Sequence, residues 1–422
     1  MKNCLSALLS LCLFALAACH KDSTKPPVTS TDSTLKIDLI NSENGWSDTV
    51  KTDVELIISE PGGKILLDTI TPANTRITLT LNTNATTVNL TNIDHPANDI
   101  NYYAITYVGV NPANWACDYF LNYEAPSGPH PSSFVNSTLT YTNISSSTAT
   151  LFTQNAWMFK PGYHEDLTNP NAITFTYSRL PGNYAYFLDY TTDRYKMVLP
   201  TQANQTVDCS TMDQTTSANF TPSSYFNYYE SYLWGYPDST NLNSVLQLYS
   251  HDTGWVAGTP ELEYPTKNIQ KYAMEGRFYS PNNEYAFVYS LSNTINLNLS
   301  YPDPNSYSLG STKNSNFAIS WNGTKPTYYF TYWSANNISW GFVVPPDSTT
   351  FNPLGLMTAQ GSKILQGMDL TRLTLAEFYY NSVKGYNYSG YLGLMHDSTQ
   401  YWKNPISSSI IYIKNFGYVP GF

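Results

Sequence analysis

The sequence is dominated by short runs in which apolar and polar residues alternate, and this pattern excludes most fold classes. Such runs include residues 35–39, 54–58, 77–81, 285–289 and 317–321. Successive side chains of a β-strand point to opposite faces of a sheet, so a period of two predicts strands that bury one face. Turn-forming residues bound these runs, as Pro, Gly and Asn do around strands. The sequence therefore predicts a mainly β protein.

Residues 124–133, EAPSGPHPSS, are dense in Pro, Ser and Gly and predict a linker between two β regions. Before the linker, about six strands within roughly 90 residues predict an immunoglobulin-like β-sandwich at 35–123. After it, residues 134–422 predict a larger, aromatic-rich antiparallel β domain with a few short helices. In that region Asn322-Gly323 favours a two-residue hairpin turn. The sequence shows no convincing repeat of fixed period.

The most aromatic stretch of the chain, SSYFNYYESYLWGYPDST, raises the question of a ligand-binding surface. Proline and glycine flank it at the positions where helices begin and end, which predicts a helix over 222–234. A helical period places Tyr225, Tyr229 and Tyr232 on the core side. It places Trp234 on the polar side. Trp234 is therefore the predicted ligand-binding residue.

An apolar run over residues 5–18 opens the chain and is too short to span a bilayer, which takes roughly 20 residues. It has the size of a secretory signal core, so residues 1–18 are predicted to be a signal peptide. The run ends in Leu-Ala-Ala-Cys, which resembles the lipobox of bacterial lipoproteins. The resemblance implies cleavage after Ala18 and acylation of Cys19. His20 stands where an aspartate marks inner-membrane retention, so the resemblance implies anchoring in outer-membrane lipid through Cys19.

Residues 19–34, CHKDSTKPPVTSTDST, are polar and proline-punctuated and predict a flexible tether. Ser23 and Ser33 lie in Asp-Ser-Thr triplets, which recur in the chain and resemble the acceptor site for envelope O-glycosylation in some Gram-negative bacteria. Ser23 and Ser33 are therefore O-glycosylation candidates. Ordinary Asp-Ser turns account for the same pattern, so the sequence leaves both interpretations open.

Cys117 and Cys209 are the two cysteines that remain once the signal peptide and the anchor are set aside. An oxidising compartment permits a disulfide between them, and two buried thiols are the alternative. Two cysteines cannot complete a four-ligand zinc site. We therefore predict neither a metal nor a cofactor.

The charge and the motifs narrow the functions further. The formal net charge is −10 and no basic block occurs, which argues against nucleic acid as a partner. The chain has no nucleophile elbow, zinc-protease helix, P-loop or dinucleotide-binding motif. Sequence motifs therefore identify no reaction.

The preferred interpretation is a non-catalytic outer-membrane lipoprotein that binds a glycan or a protein partner, because aromatic rings on a polar β scaffold suit sugar stacking. Whether its domains face the periplasm or the cell surface is left open. A second hypothesis is an envelope-anchored glycoside hydrolase whose site the sequence does not locate. A third is an outer-membrane β-barrel component, since Phe416, Tyr418 and Phe422 alternate at the C-terminus as in barrel-closing strands.

Overall fold

Strands make up most of the chain that the computed structural model describes. The described residues are 33–39, 53–72, 75–81, 83, 85–95, 100–112, 116–118, 135–145, 148–154, 163–168, 171–179, 182–220, 225, 228–240, 245–252, 261–280, 282–297, 299, 301–396 and 406–416. Within them the helices are two short α-helices and one 3-10 helix. The predicted mainly β class with a few short helices is therefore confirmed. The predicted signal peptide, nearly all of the tether and the predicted linker lie outside these ranges.

The first unit is a sandwich of two small sheets. Its strands are β1 (Ser33–Leu39), β2 (Asp53–Ser59), β3 (Ile65–Pro72), β4 (Thr75–Leu81), β5 (Val88–Asp94), β6 (Tyr102–Val110) and β7 (Ala116–Asp118). They pair in the orders β4-β1-β7 and β3-β2-β5-β6, and only β1 with β7 is parallel. Val54, Leu56 and Ile58 of β2 share a buried core with Leu79 and Leu81 of β4. This core closes the two sheets on each other.

The strand order of this sandwich differs from the immunoglobulin order that the sequence suggested. An immunoglobulin domain pairs its strands A-B-E-D and C-F-G. In the same letters the first unit pairs D-A-G and C-B-E-F. The expectation rested on the number and spacing of the strands, and neither of these reports which strands pair.

The second unit repeats this arrangement. Its strands are β8 (Val135–Thr142), β9 (Thr148–Gln154), β10 (Tyr163–Thr168), β11 (Ala172–Arg179), β12 (Ala185–Asp189), β13 (Arg194–Val198) and β14 (Asn204–Asp208), with β15 (Asp213–Gln214) beside β13. The sheets have the orders β11-β8-β14 and β10-β9-β12-β13, and β8 with β14 is again the parallel pair. Leu139 and Tyr141 of β8 share a core with Ala185 and Phe187 of β12.

The third unit pairs β16 with β19 and places four strands in the order β18-β17-β20-β21. Its strands are β16 (Thr216–Asn219), β17 (Tyr228–Tyr236), β18 (Leu246–Asp252), β19 (Glu261–Tyr264), β20 (Lys271–Ser280) and β21 (Glu284–Ser292). All of these pairs are antiparallel.

The fourth unit has the same plan and carries the helices. Its strands are β22 (Tyr307–Lys313), β23 (Asn316–Trp321), β24 (Tyr328–Ala335), β25 (Ile338–Val344), β26 (Thr350–Phe351), β27 (Thr374–Val383) and β28 (Ser408–Asn415). β22-β23-β26 form one sheet and β25-β24-β27-β28 run in order in the other. Helix α1 (Pro353–Gln360) and the 3-10 helix (Leu370–Arg372) precede β27, and α2 (Tyr388–His396) lies between β27 and β28.

The described strands therefore form four copies of one pairing pattern, D-A facing C-B-E-F, with the same strand directions in every copy. Strand A is β1, β8, β16 and β23 in the four copies, which therefore begin at residues 33, 135, 216 and 316, and B to F follow in chain order. In the fourth unit β22 precedes strand A and pairs with it. Their unequal spacing explains why the sequence shows no fixed period. The E–F connection, for example, covers residues 281–283 in the third unit and 384–407 in the fourth.

Three of the units join edge to edge in one twelve-stranded sheet. β21 of the third unit pairs antiparallel with β28 of the fourth, and β25 of the fourth pairs parallel with β6 of the first. Across the first of these joints Lys414 Nζ donates to Glu284 Oε1 at 3.1 Å. The regions 35–123 and 134–422, which the sequence suggested as two domains, thus share one sheet.

The helix predicted over 222–234 is wrong, because residues 228–236 form strand β17. Leu233 is fully buried, whereas Tyr232 and Trp234 are both half-buried on the opposite face of the strand. Aromatic residues favour strands, and rings on both faces of a strand imitate the broad arc of an amphipathic helix. Tyr225 packs against the core of the third unit, and the side chain of Tyr229 lies outside the described residues.

Candidate ligand-binding face

The outward side chains of β17, β20 and β21 form a surface that we call the aromatic face. The register aligns Glu230 with Arg277 and Phe287, and it aligns Tyr232 with Glu275 and Tyr289 in the next row. The aromatic face comprises Glu230, Tyr232, Trp234, Glu275, Arg277, Tyr279, Tyr285, Phe287 and Tyr289, all of them half-buried. Residues between them on the same strands, such as Leu233 and Met274, are buried on the inner face. Strand alternation therefore gathers rings and charges on one side.

Arg277 lies at the centre of the aromatic face. Its guanidinium carbon is 5.2 Å from the ring centre of Tyr232 and 5.9 Å from that of Phe287, within the range of cation–π contacts. Its Nε donates to Glu275 Oε1 at 2.8 Å, and its Nη1 lies 3.7 Å from Glu230 Oε2. Burial alone would lower the pKa of Arg277, but these two carboxylates outweigh burial and raise it. Arg277 is a fixed cation held between two rings and two carboxylates.

Two tyrosine hydroxyls complete the polar centre of the face. The hydroxyl of Tyr232 donates to Glu230 Oε2 at 3.0 Å, and that of Tyr279 donates to Glu230 Oε1 at 3.4 Å. Burial, followed by the charge of Glu230, raises the pKa of Tyr279 to about 12. Tyr279 therefore keeps its proton at neutral pH and remains a hydrogen-bond donor.

Trp234, the ligand-binding residue predicted from the sequence, lies on this face. Its ring centre is 6.5 Å from that of Tyr232, and the two ring planes differ by only 23°. Tyr279 and Tyr285 meet edge to face at 5.3 Å. The prediction that Trp234 is a binding residue survives as a hypothesis, although the helical geometry behind it does not.

The equivalent outward faces of the other three units are covered by protein. In the fourth unit Tyr328 stacks on Tyr391 of α2 with ring centres 5.2 Å apart. In the first unit Ile57 shares a core with Met357 of α1. In the second unit Tyr186 and its neighbours enter the core of the third unit. The rings of the aromatic face belong to none of the four hydrophobic cores formed by the described residues.

The E–F connection distinguishes the third unit from the fourth. The fourth unit covers its outward face with α2, which belongs to the long E–F connection at 384–407. The same connection in the third unit is the turn at 281–283, which is too short to hold a helix. Within the described residues, the third unit therefore has no counterpart of the helix that covers the fourth unit.

Cys209 is a free thiol buried in the core of the second unit. Its Sγ donates to the carbonyl of Val207 at 3.9 Å, and burial raises its pKa to about 11. Of the two alternatives left by the sequence, the structure shows the buried thiol for Cys209 and not the disulfide. Cys117 lies on β7, and its side chain is outside the described residues.

The other residues singled out in the sequence lie at the edge of the described chain or beyond it. Ser33 is the first residue of β1, where it pairs with Leu81, so the tether ends slightly earlier than residue 34. Cys19 and Ser23 lie outside the described residues. At a third Asp-Ser-Thr triplet, the side chain of Asp238 accepts bonds from the backbone and the hydroxyl of Thr240. That triplet forms an Asx turn, in agreement with the alternative of an ordinary Asp-Ser turn.

A small, shallow cleft lies between the end of β6 and α2. Gly109, Val110, Tyr388 and Leu392 are among its lining residues, and no carboxylate, histidine or lysine lines it. The described residues also contain no cluster of three metal-ligating side chains. No described helix is long and apolar enough to cross a bilayer.

Glu230, Glu275 and Arg277 were missed by the sequence reasoning. A usable signal was present in KYAMEGRFYS, where the two charged residues alternate with buried Met274, Gly276 and Phe278. The cross-strand contacts with Tyr232 and Phe287 depend on register, which the sequence does not reveal. Comparison with known proteins found no matching family model and no matching curated protein.

Proposed function

We propose that the protein is a non-catalytic, lipid-anchored outer-membrane protein that binds a glycan through the aromatic face. The observation that carries this proposal is the aromatic face of the third unit, whose rings join none of the hydrophobic cores of the described residues, whereas the equivalent faces of the other units pack against protein. An apolar surface with a few convergent polar groups is the usual composition of a ligand site.

The chemistry of the aromatic face suits a sugar. Tyr232 and Trp234 offer rings against which the C–H surface of a sugar packs. The carboxylates of Glu230 and Glu275 accept hydrogen bonds from hydroxyl groups, and Arg277 and Tyr279 donate them. A sugar needs both kinds of partner because its faces are apolar and its rim is polar.

The lipid anchor and the location rest on the sequence at residues 16–19. An acylated Cys19 followed by a polar tether would hold the four units near the membrane surface. Replacing Cys19 by Ala is expected to release the protein into the soluble fraction or to stall its precursor. A variant that remained in the membrane fraction like the wild type would contradict the anchor.

A glycoside hydrolase is the second candidate, and the aromatic face supports it less well. A glycosidase uses two carboxyl groups, one as an acid and the other as a base or nucleophile. Glu230 and Glu275 instead both lie against the guanidinium of Arg277, which occupies the space between them. Burial raises the pKa of Glu377 to about 7, but it lies on β27, three strands away from Arg277 on β20.

The test is a glycan array followed by titration calorimetry on each bound glycan. Trp234→Ala removes one ring and is expected to weaken binding by roughly 2- to 12-fold, since a ring contact contributes about 0.5–1.5 kcal/mol. Tyr103→Ala is the matched control, because Tyr103 is an exposed ring on β6, outside the aromatic face.

Equal affinities of wild type and Trp234→Ala for every bound glycan would refute the proposed site. If instead a purified envelope protein binds the wild type but not Trp234→Ala, the ligand of the aromatic face is a protein and not a glycan.

A further inference from the structure

We infer that the aromatic face selects uncharged glycans over acidic ones, an inference that rests on the proposed glycan-binding function. Four charged side chains lie on this side of β17 and β20: Glu230, Glu275, Arg277 and, at the far end, Lys271. Their formal charges cancel. The register also places Asp252 of β18 opposite Glu230, so a bound ligand meets no net positive charge on this surface.

Arg277 is the cation that an acidic sugar would need, and it is already engaged. Glu275 accepts from its Nε at 2.8 Å, Glu230 lies 3.7 Å from its Nη1, and the rings of Tyr232 and Phe287 flank it. A ligand carboxylate would have to displace Glu275 or sit beside both carboxylates. Like charges at such distances repel, and the repulsion is larger at a partly buried site than in water.

Lys271 does not supply the missing cation. It aligns with Tyr236, at the end of β17 beyond Trp234, and its Nζ donates to the carbonyl of Ser239 at 3.2 Å. The long-range field also disfavours anions, since the whole chain carries a net charge of −10. An uncharged oligosaccharide meets neither cost and still finds carboxylate acceptors for its hydroxyl groups.

The experiment compares glycans that differ only in charge. Suitable probes are oligogalacturonate with its methyl ester, and carboxymethylated with unmodified glucan, each titrated into the full-length protein at low and moderate salt. We expect any bound pair to favour the uncharged member by about tenfold or more, and added salt to narrow the difference.

Glu275→Gln tests the cause directly. Removing this carboxylate frees one side of Arg277, so the ratio of the two affinities should shift toward the acidic member of a bound pair, and an unchanged ratio would overturn the inference. Glu60→Gln is the matched control, because Glu60 is a partly exposed carboxylate that bonds Lys64 and Thr83 away from the face.

The two failures are distinguishable. If an acidic probe binds the wild type as tightly as its uncharged counterpart, and binding depends on Trp234, the charge inference is wrong and the glycan-binding function stands. If neither these probes nor an array of neutral and acidic glycans binds, the proposed function fails and the inference falls with it.

Discussion

Glu55 is a buried carboxylate that connects the first unit to the fourth, and its removal should destabilise the fold strongly. Glu55 lies on β2 with no exposed surface. It accepts hydrogen bonds from the hydroxyl of Ser362 at 2.5 Å, from the backbone of Lys363 at 2.6 Å and from that of Ile364 at 3.1 Å. These donors lie roughly 300 residues further along the chain, in the segment after α1. The carboxylate therefore accepts the hydrogen bonds that water would otherwise make with three donors between the first and fourth units.

The expected cost follows from these bonds. A hydrogen bond to a charged group contributes about 1.5–3 kcal/mol, but Lys363 and Ile364 are not fully buried and water would recover part of the loss. Glu55→Ala should therefore lower the free energy of unfolding by roughly 3–5 kcal/mol, which is less than the full sum of three such bonds. A melting temperature falls by about 2 °C per kcal/mol in a large domain, which gives a decrease of roughly 6–10 °C.

Calorimetry and urea unfolding followed by tryptophan fluorescence measure this loss. Glu55→Gln keeps one oxygen acceptor and the shape of the side chain, so it should fall between the wild type and Glu55→Ala. Glu60 directly follows β2 and its carboxylate is partly exposed, so Glu60→Gln should leave the melting temperature nearly unchanged. The argument is refuted if Glu55→Ala melts within about 1 °C of the wild type, or if Glu60→Gln melts as early.

Three further outcomes test other parts of the structure. The ammonium of Lys363 donates to the carbonyl of Asp68 on edge strand β3, and a charge at a sheet edge hinders pairing with another molecule. Lys363→Ala should therefore increase self-association in analytical ultracentrifugation. A variant that stays as monomeric as the wild type would contradict this role of Lys363. Burial raises the pKa of Glu377 from 4.5 to about 7. The folded state therefore favours the protonated form, and wild-type stability should fall as pH rises from about 4.5 to 7. The urea midpoint of Glu377→Gln should vary less with pH over this range and should be higher than that of the wild type at pH 8. Identical pH profiles of the two proteins would rule out this effect. In a Cys117→Ser background, Cys209 should react with a maleimide only after unfolding, because it is buried, and rapid labelling of the native protein would show that it is accessible.

The individual strands were largely predictable from the sequence. The alternating runs at 35–39, 54–58 and 77–81 are β1, β2 and β4, and the run that begins at Ile338 is β25. The turn before β25 places Asn336 at φ 51°, a conformation that asparagine tolerates. Local alternation and turn chemistry act within a few residues, so they can be read directly from the chain.

The pairing of the strands could not be predicted in the same way. Asn322-Gly323 suggested a hairpin, and Gly323 does have a φ of 111°. Yet β23 before it pairs with β22 and β26, while β24 after it pairs with β25 and β27. The connection therefore crosses between the two sheets of a sandwich. A positive φ fixes the local turn but not the partner of the strand that follows it.

The same limit applies to the aromatic face. Trp234 was singled out because a helix would have placed it opposite the core. In strand β17 it lies on the outward face because side chains alternate between the two faces. Tyr232 was assigned to the core by that helix, and it lies beside Trp234 instead. Whether either ring is covered depends on the length of the E–F connection and on contacts between units. Those properties belong to the assembled fold rather than to residues 223–240.

The order in which the units contact each other has a consequence for folding. The first unit shares its sheet with the fourth, and the second unit packs into the core of the third. The outward face of β2, with Ile57 and the buried carboxylate of Glu55, is covered only when α1 and residues 361–365 of the fourth unit are in place. Contacts so distant in sequence form slowly, because the chain must close a long loop before they stabilise it. Sandwich formation within each unit is local and can come first, whereas the joint between the first and last units must come late. A longer E–F connection, such as the one that contains α2, covers the outward face of a unit and leaves its strand pairing unchanged.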